Sequence, residues 1–385
     1  AEAGQAVADF LRATGQAAAG VAPCPPPAAG ALPLRVHWPL PGPPPLASVI
    51  VPTRDHPDLL ARCAEGVLQD TAYAPLELLV IDNGSTEPAT HALLGRLRQD
   101  PRVRVLDAPG PFNYAALNNR AVAAARGEVL VLLNNDVAVI EPGWLGEMVA
   151  HALRPGIGAV GARLLYADGR VQHGGVVLGV GGVASHYHPF AGREDPGYHG
   201  ALRLVRRVAA VTAACLAMRR TVFEAVGGLD AEHLAVAFND VDLCLRIRAA
   251  GHAIVWTPHA ELYHLESVSR GFDGAPQNRE RFAREVAYMR GRWGPALDAD
   301  PYYSPNFSLQ DAGFNLAFPP RRPRRWEAGG VAPPGAPPEA PPGAPPEAPP
   351  GAPPEAPPGA PPEAPPGAPP EAPPGVLPEV LAAAR

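Results

Sequence analysis

Three short stretches of this sequence carry groups able to hold a cation or move a proton. The first is VLVLLNND, residues 129–136, which delivers Asn134, Asn135 and Asp136 to the end of an apolar run. A lone carboxylate is a poor cation site. Mg²⁺-type sites, however, use one or two carboxylates and take their other oxygens from substrate phosphates and water. Asp136 is therefore a candidate metal ligand beside a diphosphate, with Asn134 and Asn135 able to hydrogen-bond a sugar or ribose without adding charge. The second stretch is AFNDVDLCLRIRAAGH, residues 237–252. Val241, Cys244, Leu245 and Arg248 fall at helical spacing, so Asp240 and Asp242 lie in a first turn headed by Asn239, where the macrodipole favours negative charge. Capping alone accounts for both acids; the chemical reading makes Asp240 a general base for an attacking hydroxyl. The third is LYHLES, where His264 closes a short strand. A lone histidine also serves structure, but beside a carboxylate and a diphosphate it would complete a metal sphere, favouring Mn²⁺ more than an all-oxygen site does.

The elements that must position these groups are legible from periodicity. SVIVPT (48–53), LELLVID (76–82), VRVL (103–106) and VLVLL (129–133) read as strands, separated by helical patterns over 57–70, up to Gln99, and over 114–126. Strand and helix alternating at this spacing imply right-handed βαβ units and a parallel sheet. In such sheets ligands bind beyond the carboxyl ends of the strands. Thr53-Arg54-Asp55, Asp82-Asn83 and Asn134-Asn135-Asp136 all fall there. Turn chemistry can account for any one such cluster; three on one rim are harder to explain that way.

The second half reads differently. Residues 157–166, 171–180 and 202–218 look like strands with glycine-rich connections, followed by a helix over 239–250, the strands AIVWTP and ELYHLES, and a last helix over 277–293. A mixed sheet with long loops follows. Residues 1–17 can form a short helix, 22–46 read as a Pro-rich linker, and 332–371 repeat APPGAPPE five times. Such repeats cannot bury a core and are expected to be extended and partly polyproline II. They suit a spacer, or a strip for a proline-reading partner.

Composition excludes several classes. Six glutamates stand against one arginine in residues 331–385, so most of the net charge of −6 belongs to the tail and the body is near neutral. That argues against a nucleic-acid binder. All 32 basic residues are arginine, as a GC-rich coding bias would give. Cys24, Cys63, Cys215 and Cys244 show no CxxC spacing, which suits a reducing cytosol. No apolar run approaches the ~20 residues of a membrane helix. GxGxxG, GxxxxGK[ST] and GxSxG signatures are missing from the expected places. The HxH of His186 and His188 lacks a further ligand at fixed spacing, and the arginine-rich residues 321–325 read as a solvated edge. The chain opens on Ala1 rather than Met, so a fragment or processed form is expected, with residues 1–21 as the end of a preceding module.

In order, SVIVPTRD, LLVIDNGSTE, LNNRAVAAARGEVLVLLNNDV, VTAACLAMRRTVFEAVGGLD, FNDVDLCLRIRAAGH and LYHLES resemble the inverting family 2 glycosyltransferases of GT-A fold, with a rhamnosyltransferase-like, surface-polysaccharide flavour. The resemblance covers residues 47–320. It implies an α/β, mostly parallel central sheet with a mixed second half, a disordered tail from 321, and a divalent cation, Mn²⁺ or Mg²⁺. Asn134-Asn135-Asp136 matches the DxD-type motif, with Asn in its first position and Asp136 as metal carboxylate. Asp240 matches the base of the Glu-Asp motif, preceded here by Asn239, and His264 the late histidine that joins the metal. Thr53, Asp55 and Asp82 match residues near the nucleoside, and the resemblance extends nucleotide or sugar contacts to Pro52, Asn83, Asn118, Thr212 and Asp242. It implies a dTDP-, UDP- or GDP-linked sugar donor and a glycan or polyprenyl-linked acceptor, with residues 169–200 as acceptor loops. The expected location is cytoplasmic, in peripheral contact with the inner face of the membrane. Two other readings stay open: a sugar-phosphate nucleotidyltransferase, and a non-catalytic sugar-nucleotide scaffold whose Pro-rich tail docks a partner.

Overall fold

A computed structural model describes residues 2–16, 20–24, 34–265, 278–310 and 313–321. The APPGAPPE repeats, most of the 321–325 cluster and the last two residues of LYHLES lie outside the described residues. In chain order the elements are α1 (Glu2–Ala13), β1 (Gly20–Pro23), β2 (Leu34–His37), β3 (Ala47–Thr53), α2 (Pro57–Leu68), β4 (Leu76–Asp82), α3 (Pro88–Leu97), β5 (Val103–Asp107), α4 (Tyr114–Ala124), β6 (Val129–Leu133) and β7 (Val137–Val139). Then come α5 (Trp144–Ala152), β8 (Ile157–Leu165), β9 (Val171–His173), β10 (Val176–Leu178), β11 (Ala184–His186), β12 (Arg206–Val208), β13 (Cys215–Arg219), α6 (Arg220–Ala225), α7 (Asn239–Ala249), β14 (Ala253–His264) and α8 (Arg279–Leu297).

One large sheet runs β12-β14-β8-β13-β6-β3-β4-β5, with β7 paired to β14 and β9 to β8. β6, β3, β4 and β5 are mutually parallel, as the alternating pattern predicts. β13 then enters antiparallel to both β6 and β8, which makes the sheet mixed. From β3 the chain steps outward through β4 and β5 and returns to the other side of β3 as β6. That reversal of strand order opens a crevice at the carboxyl ends of β3 and β6.

β3, β4 and β6 are buried along their whole length because both faces are covered. Val129, Val131 and Leu133 face α2 and α5 through Leu60, Val67, Trp144 and Met148. Leu130 and Leu132 face the opposite layer, where Ala121 of α4 and Val241 and Leu245 of α7 pack. Each such buried side chain contributes about 1.5–3 kcal/mol, so the tip of β6 is a firm mount for whatever follows it.

The later strands depart from the sequence expectation. Residues 171–180 split into β9 and β10 at Gly174-Gly175; Gly175 has φ 104°, and a Cβ on Gly174 would lie 2.7 Å from Leu202 Cδ2. Residues 202–218 break into β12 and β13 around a buried turn at 209–214. AIVWTP and ELYH, expected as two strands, form the single β14, whose register against β8 shifts between Trp256 and Glu261. Helix α8 runs past its expected end to Leu297, with a kink at Gly294, φ 33°, just before Pro295. All four cysteines are free and buried. Among the described residues no helix is long and apolar enough to cross a membrane.

Part of the stretch expected as a linker is ordered. β1 and β2 pair antiparallel, and Arg35 of β2 reaches Glu147 of α5 at 2.7 Å. Glu147 also accepts from Thr257 Oγ1 at 2.8 Å. Burial pushes the Glu147 carboxyl up, but His151 and then Arg35 outweigh it and hold the group at about 2. Its folded pKa is thus below the usual 4.5, so its stabilisation is complete above pH 4.5 and is lost as pH falls toward 2. The expected size is roughly 3 kcal/mol. Urea midpoints measured between pH 5 and 2 should therefore fall more for the wild type than for Glu147→Gln; parallel profiles would refute this.

Candidate active site

The crevice at the strand-order reversal holds a cavity of about 530 Å³. Pro52, Thr53 and Asp55 come to it from the end of β3, Asn134, Asn135 and Asp136 from the end of β6, Thr212 from the turn before β13, Asp240 from the start of α7, and His264 from the end of β14. Asn135 Nδ2 donates to Thr53 Oγ1 at 3.1 Å, which joins the tips of β3 and β6.

Asp136 is buried, and its Oδ1 stands 3.2 Å from His264 Nε2. The tautomer of His264 follows from its other contacts. Gln172 Nε2 donates to the His264 carbonyl at 3.4 Å, which turns Gln172 Oε1 toward His264 Nδ1 at 2.6 Å. An amide oxygen only accepts, so the imidazole proton is on Nδ1. The Asn134 Nδ2 amide, 3.1 Å away, donates to the lone pair on Nε2. The Asp136 carboxylate and the His264 ring nitrogen converge at 3.2 Å, close enough to share one cation. This donor set, one carboxylate and one imidazole oriented by an outer amide, fits a divalent cation. Among the described residues no three His, Cys, Asp or Glu side chains group as a metal site, so further ligands would come from substrate and water.

Asp240 is half-buried, and both its carboxylate oxygens are held by backbone. Oδ2 accepts from Ala213 N at 3.0 Å and Oδ1 from its neighbour Val241 N at 2.8 Å. Phe238 enters the helix in the left-handed region at φ 60°, which turns the start of α7 toward the cavity. The remaining lone pairs can accept a proton from a hydroxyl bound there.

Four residues expected at the site do not line it. Asp82 is buried and accepts from Ser85 N and Oγ at 2.9 and 2.6 Å; Ser85 Oγ in turn accepts from Asp55 N at 2.8 Å. Asp82 thus acts on the rim at one remove. Asp55 itself accepts from Glu87 N and Thr86 N, which holds its carboxyl below the usual range and fixes the turn that leads into α3. Asn83 Nδ2 donates to Ala108 O at 2.8 Å and ties down the loop leading to Phe112. Asn118 lies inside α4 and donates to Tyr114 O. Asp242 is fully buried, paired with Arg246 at 2.8 Å and accepting from Trp293 Nε1 at 2.9 Å. Its place one turn into α7, facing α8, takes it away from the cavity.

Gln172, Phe112 and Tyr114 also line the cavity and were not expected individually, while Arg54 arrives with the β3 rim and His186 from the expected acceptor loops. The alternation of VQHGG offered the only signal for Gln172, a polar residue in an apolar strand. His186 does not pair with His188 as HxH would suggest. It meets His173, while His188 stacks on Phe314 and is pushed down to about 4 by burial.

The family model "Glycosyl transferase family 2" matches residues 48–227. An O-antigen biosynthesis protein of Myxococcus xanthus, RfbC, is 41% identical over 308 residues, 79% of this chain and 23% of that protein. An N-acetylglucosaminyl-diphospho-decaprenol L-rhamnosyltransferase of Mycobacterium tuberculosis is 30% identical over 223 residues, 52% of this chain and 70% of the relative. The chain therefore spans about a quarter of the first relative's length and most of the second's. Among solved structures, GalNAc-T7 with UDP, GalNAc and Mn²⁺ superposes at TM-score 0.50 and 15% identity, covering 63% of this chain and 48% of that one. The fold is α/β and GT-A-like, with a mixed central sheet. With a relative matched along most of its own length, and a family model running from β3 to α6, the chain belongs to glycosyl transferase family 2.

Proposed function

We propose that the cavity transfers a sugar from a nucleoside-diphosphate donor to a hydroxyl of a glycan or polyprenyl-linked acceptor, with inversion. The observation that carries this is the Asp136–His264 pair, 3.2 Å apart, in one cavity with the backbone-held Asp240. Asp136 and His264 would hold a divalent cation, Mn²⁺ or Mg²⁺, which when bound offsets the charge of the departing diphosphate, typically by several kcal/mol. Thr53, Asn134 and Asn135 offer neutral hydrogen bonds to the nucleotide or sugar. Asp240 takes the proton of the acceptor hydroxyl as its oxygen attacks the anomeric carbon. One carboxylate working opposite the leaving group gives a single displacement, hence inversion.

The relatives' names bear on the biology. One relative is named for O-antigen biosynthesis and the other for L-rhamnose transfer onto N-acetylglucosaminyl-diphospho-decaprenol, which supports surface-polysaccharide assembly as the setting for this chain. We assign this chain a hexosyl or rhamnosyl transfer of that kind, from a dTDP-, UDP- or GDP-linked donor, in the cytoplasm at the inner membrane face. The test is calorimetry of UDP, dTDP, GDP and CDP, each with and without Mn²⁺. One diphosphate is expected to bind with strong dependence on Mn²⁺. If folded protein binds none of them, the transferase reading fails and a scaffold role replaces it.

A further inference from the structure

Helix α8 lies beyond residue 227, where the family model ends, yet one of its faces grips the segment that carries Asp240. Phe282, Glu285, Met289 and Trp293 recur at helical spacing and so share that face. The Phe282 ring stands 5.5 Å from that of Phe238. Glu285 Oε1 accepts from Val236 N at 2.9 Å. Trp293 Nε1 donates to Asp242 Oδ1 at 2.9 Å. From the flank of the same face, Tyr288 OH donates to Asp230 Oδ2 at 2.7 Å. Asp240 therefore sits between points that α8 holds on both sides.

Glu285 is the unexpected member of this stripe. It is 2% exposed, and its other oxygen accepts from Arg281 at 2.6 Å. Stability alone does not call for a buried ion pair there, since an apolar side chain of the same size often serves as well. What an apolar side chain cannot do is accept from Val236 N–H. The Val236 carbonyl in turn accepts from Asn239 Nδ2 at 2.7 Å, and Asn239, also 2% exposed, immediately precedes Asp240. Between them Phe238 takes the left-handed conformation, φ 60°, which is costly for a bulky residue and persists only where its surroundings fix it.

We propose that Glu285 is a positioning residue for the base: through Val236 and Asn239 it sets the left-handed entry to α7 and so the direction in which Asp240 meets the acceptor hydroxyl. Val236, Asn239 and Asp240 all line the cavity, while Glu285 does not. Its effect is thus confined to the proton-accepting arm, and the Asp136–His264 arm is untouched. The proposal rests on the transferase reading above.

The test uses the full chain and begins without substrate. Ala213 N–H is bonded to Asp240 Oδ2, so its hydrogen exchange reports whether that carboxylate is in place. Glu285→Leu should speed exchange at Ala213 about 3- to 10-fold, the loss of one hydrogen bond. Glu285→Gln, whose amide oxygen still accepts, should leave it near the wild-type rate. In kinetics, Glu285→Leu should lower kcat about 10- to 100-fold, as misplacement of a reacting group does, and Glu285→Gln should recover most of it. The substrates are UDP-, dTDP- and GDP-linked hexoses and dTDP-rhamnose, followed by release of the nucleoside diphosphate. Affinity for whichever nucleoside diphosphate binds with Mn²⁺ should stay within about twofold. In an Asp240→Asn background, Glu285→Leu should cost less than about twofold more, because residues that act as a unit are not additive. Phe282→Leu keeps the buried acid and removes only the ring on Phe238; it should give the same pattern, and it carries the test if Glu285→Leu does not fold. An equal loss with and without Asp240, or unchanged exchange at Ala213 in both folded variants, overturns this proposal alone. Failure of the wild type to bind any nucleotide overturns it together with the transferase reading.

Discussion

Asp240→Asn is expected to lower sugar transfer by about 10²- to 10⁴-fold, the usual contribution of a positioned general base, while nucleotide affinity stays within about twofold. The argument is geometric. The carboxylate accepts from Ala213 N and Val241 N, so among the described residues it is oriented by backbone donors alone. Asparagine keeps the size and one of those bonds, but its amide has no lone pair basic enough to take a proton. The loss should fall on kcat with KM for donor little changed, the signature of a group acting only in the transition state. One complication is built in: the asparagine NH₂ must face one backbone N–H. A thermal melt of the variant accompanies the kinetics, so that a shift in fold is not read as chemistry. A rate within tenfold of wild type, from a variant with an unchanged melt, would remove Asp240 from the role of base.

Asp136→Ala is expected to abolish the Mn²⁺-dependent part of nucleotide binding, a loss of at least about 100-fold. Removing even an outer hydrogen-bond partner of a metal ligand typically costs 10- to 100-fold in affinity, and Asp136 is the only carboxylate paired with His264 among the described residues. With it gone, the cation keeps one protein ligand and no compensating charge. Gln172→Leu should give the milder loss, about 10- to 100-fold, because His264 stays in place but is free to change tautomer. The graded pair is the informative measurement, again by calorimetry with and without Mn²⁺. Equal Mn²⁺ dependence in wild type and Asp136→Ala would sink the cation site.

Much of this is legible in the sequence alone. The five-residue run of β6 has to be buried on both faces, and a buried strand that ends in three polar residues is announcing a rim; the structure puts Asn134, Asn135 and Asp136 there. The βαβ spacing gave the parallel half with little error because each apolar run had a clear helical pattern after it. The second half was harder. A buried glycine turn inside VQHGGVVLGV and a register shift inside β14 are tertiary events, and neither leaves a periodic trace. The acids were the hardest. Asp240 and Asp242 are two residues apart in one helical turn, so they point in different directions: one toward the cavity, the other toward Trp293 of α8. Only the arrival of α8 from some fifty residues away decides which is which. Gln172 is hard to read for a similar reason, since its contact is with His264, 92 residues away in the chain.

The turn ahead of β13 has a mechanical consequence. Ala214 O accepts from Asn134 N at 3.0 Å, Ala213 N donates to Asp240, and Ala213 O accepts from Tyr114 OH at 2.9 Å. Thr212 N meets His173 in the same turn. Four arms of the cavity therefore hang from three consecutive residues, and those residues are anchored through β13 to strands on both sides. The turn works as a hub: a substitution that displaces it moves the metal arm, the base and the buried His173 together. A cavity hung this way cannot trade one arm for another piecemeal. New donors and acceptors are accommodated by changing the side chains around the hub, and the hub itself is the part of the site least free to drift.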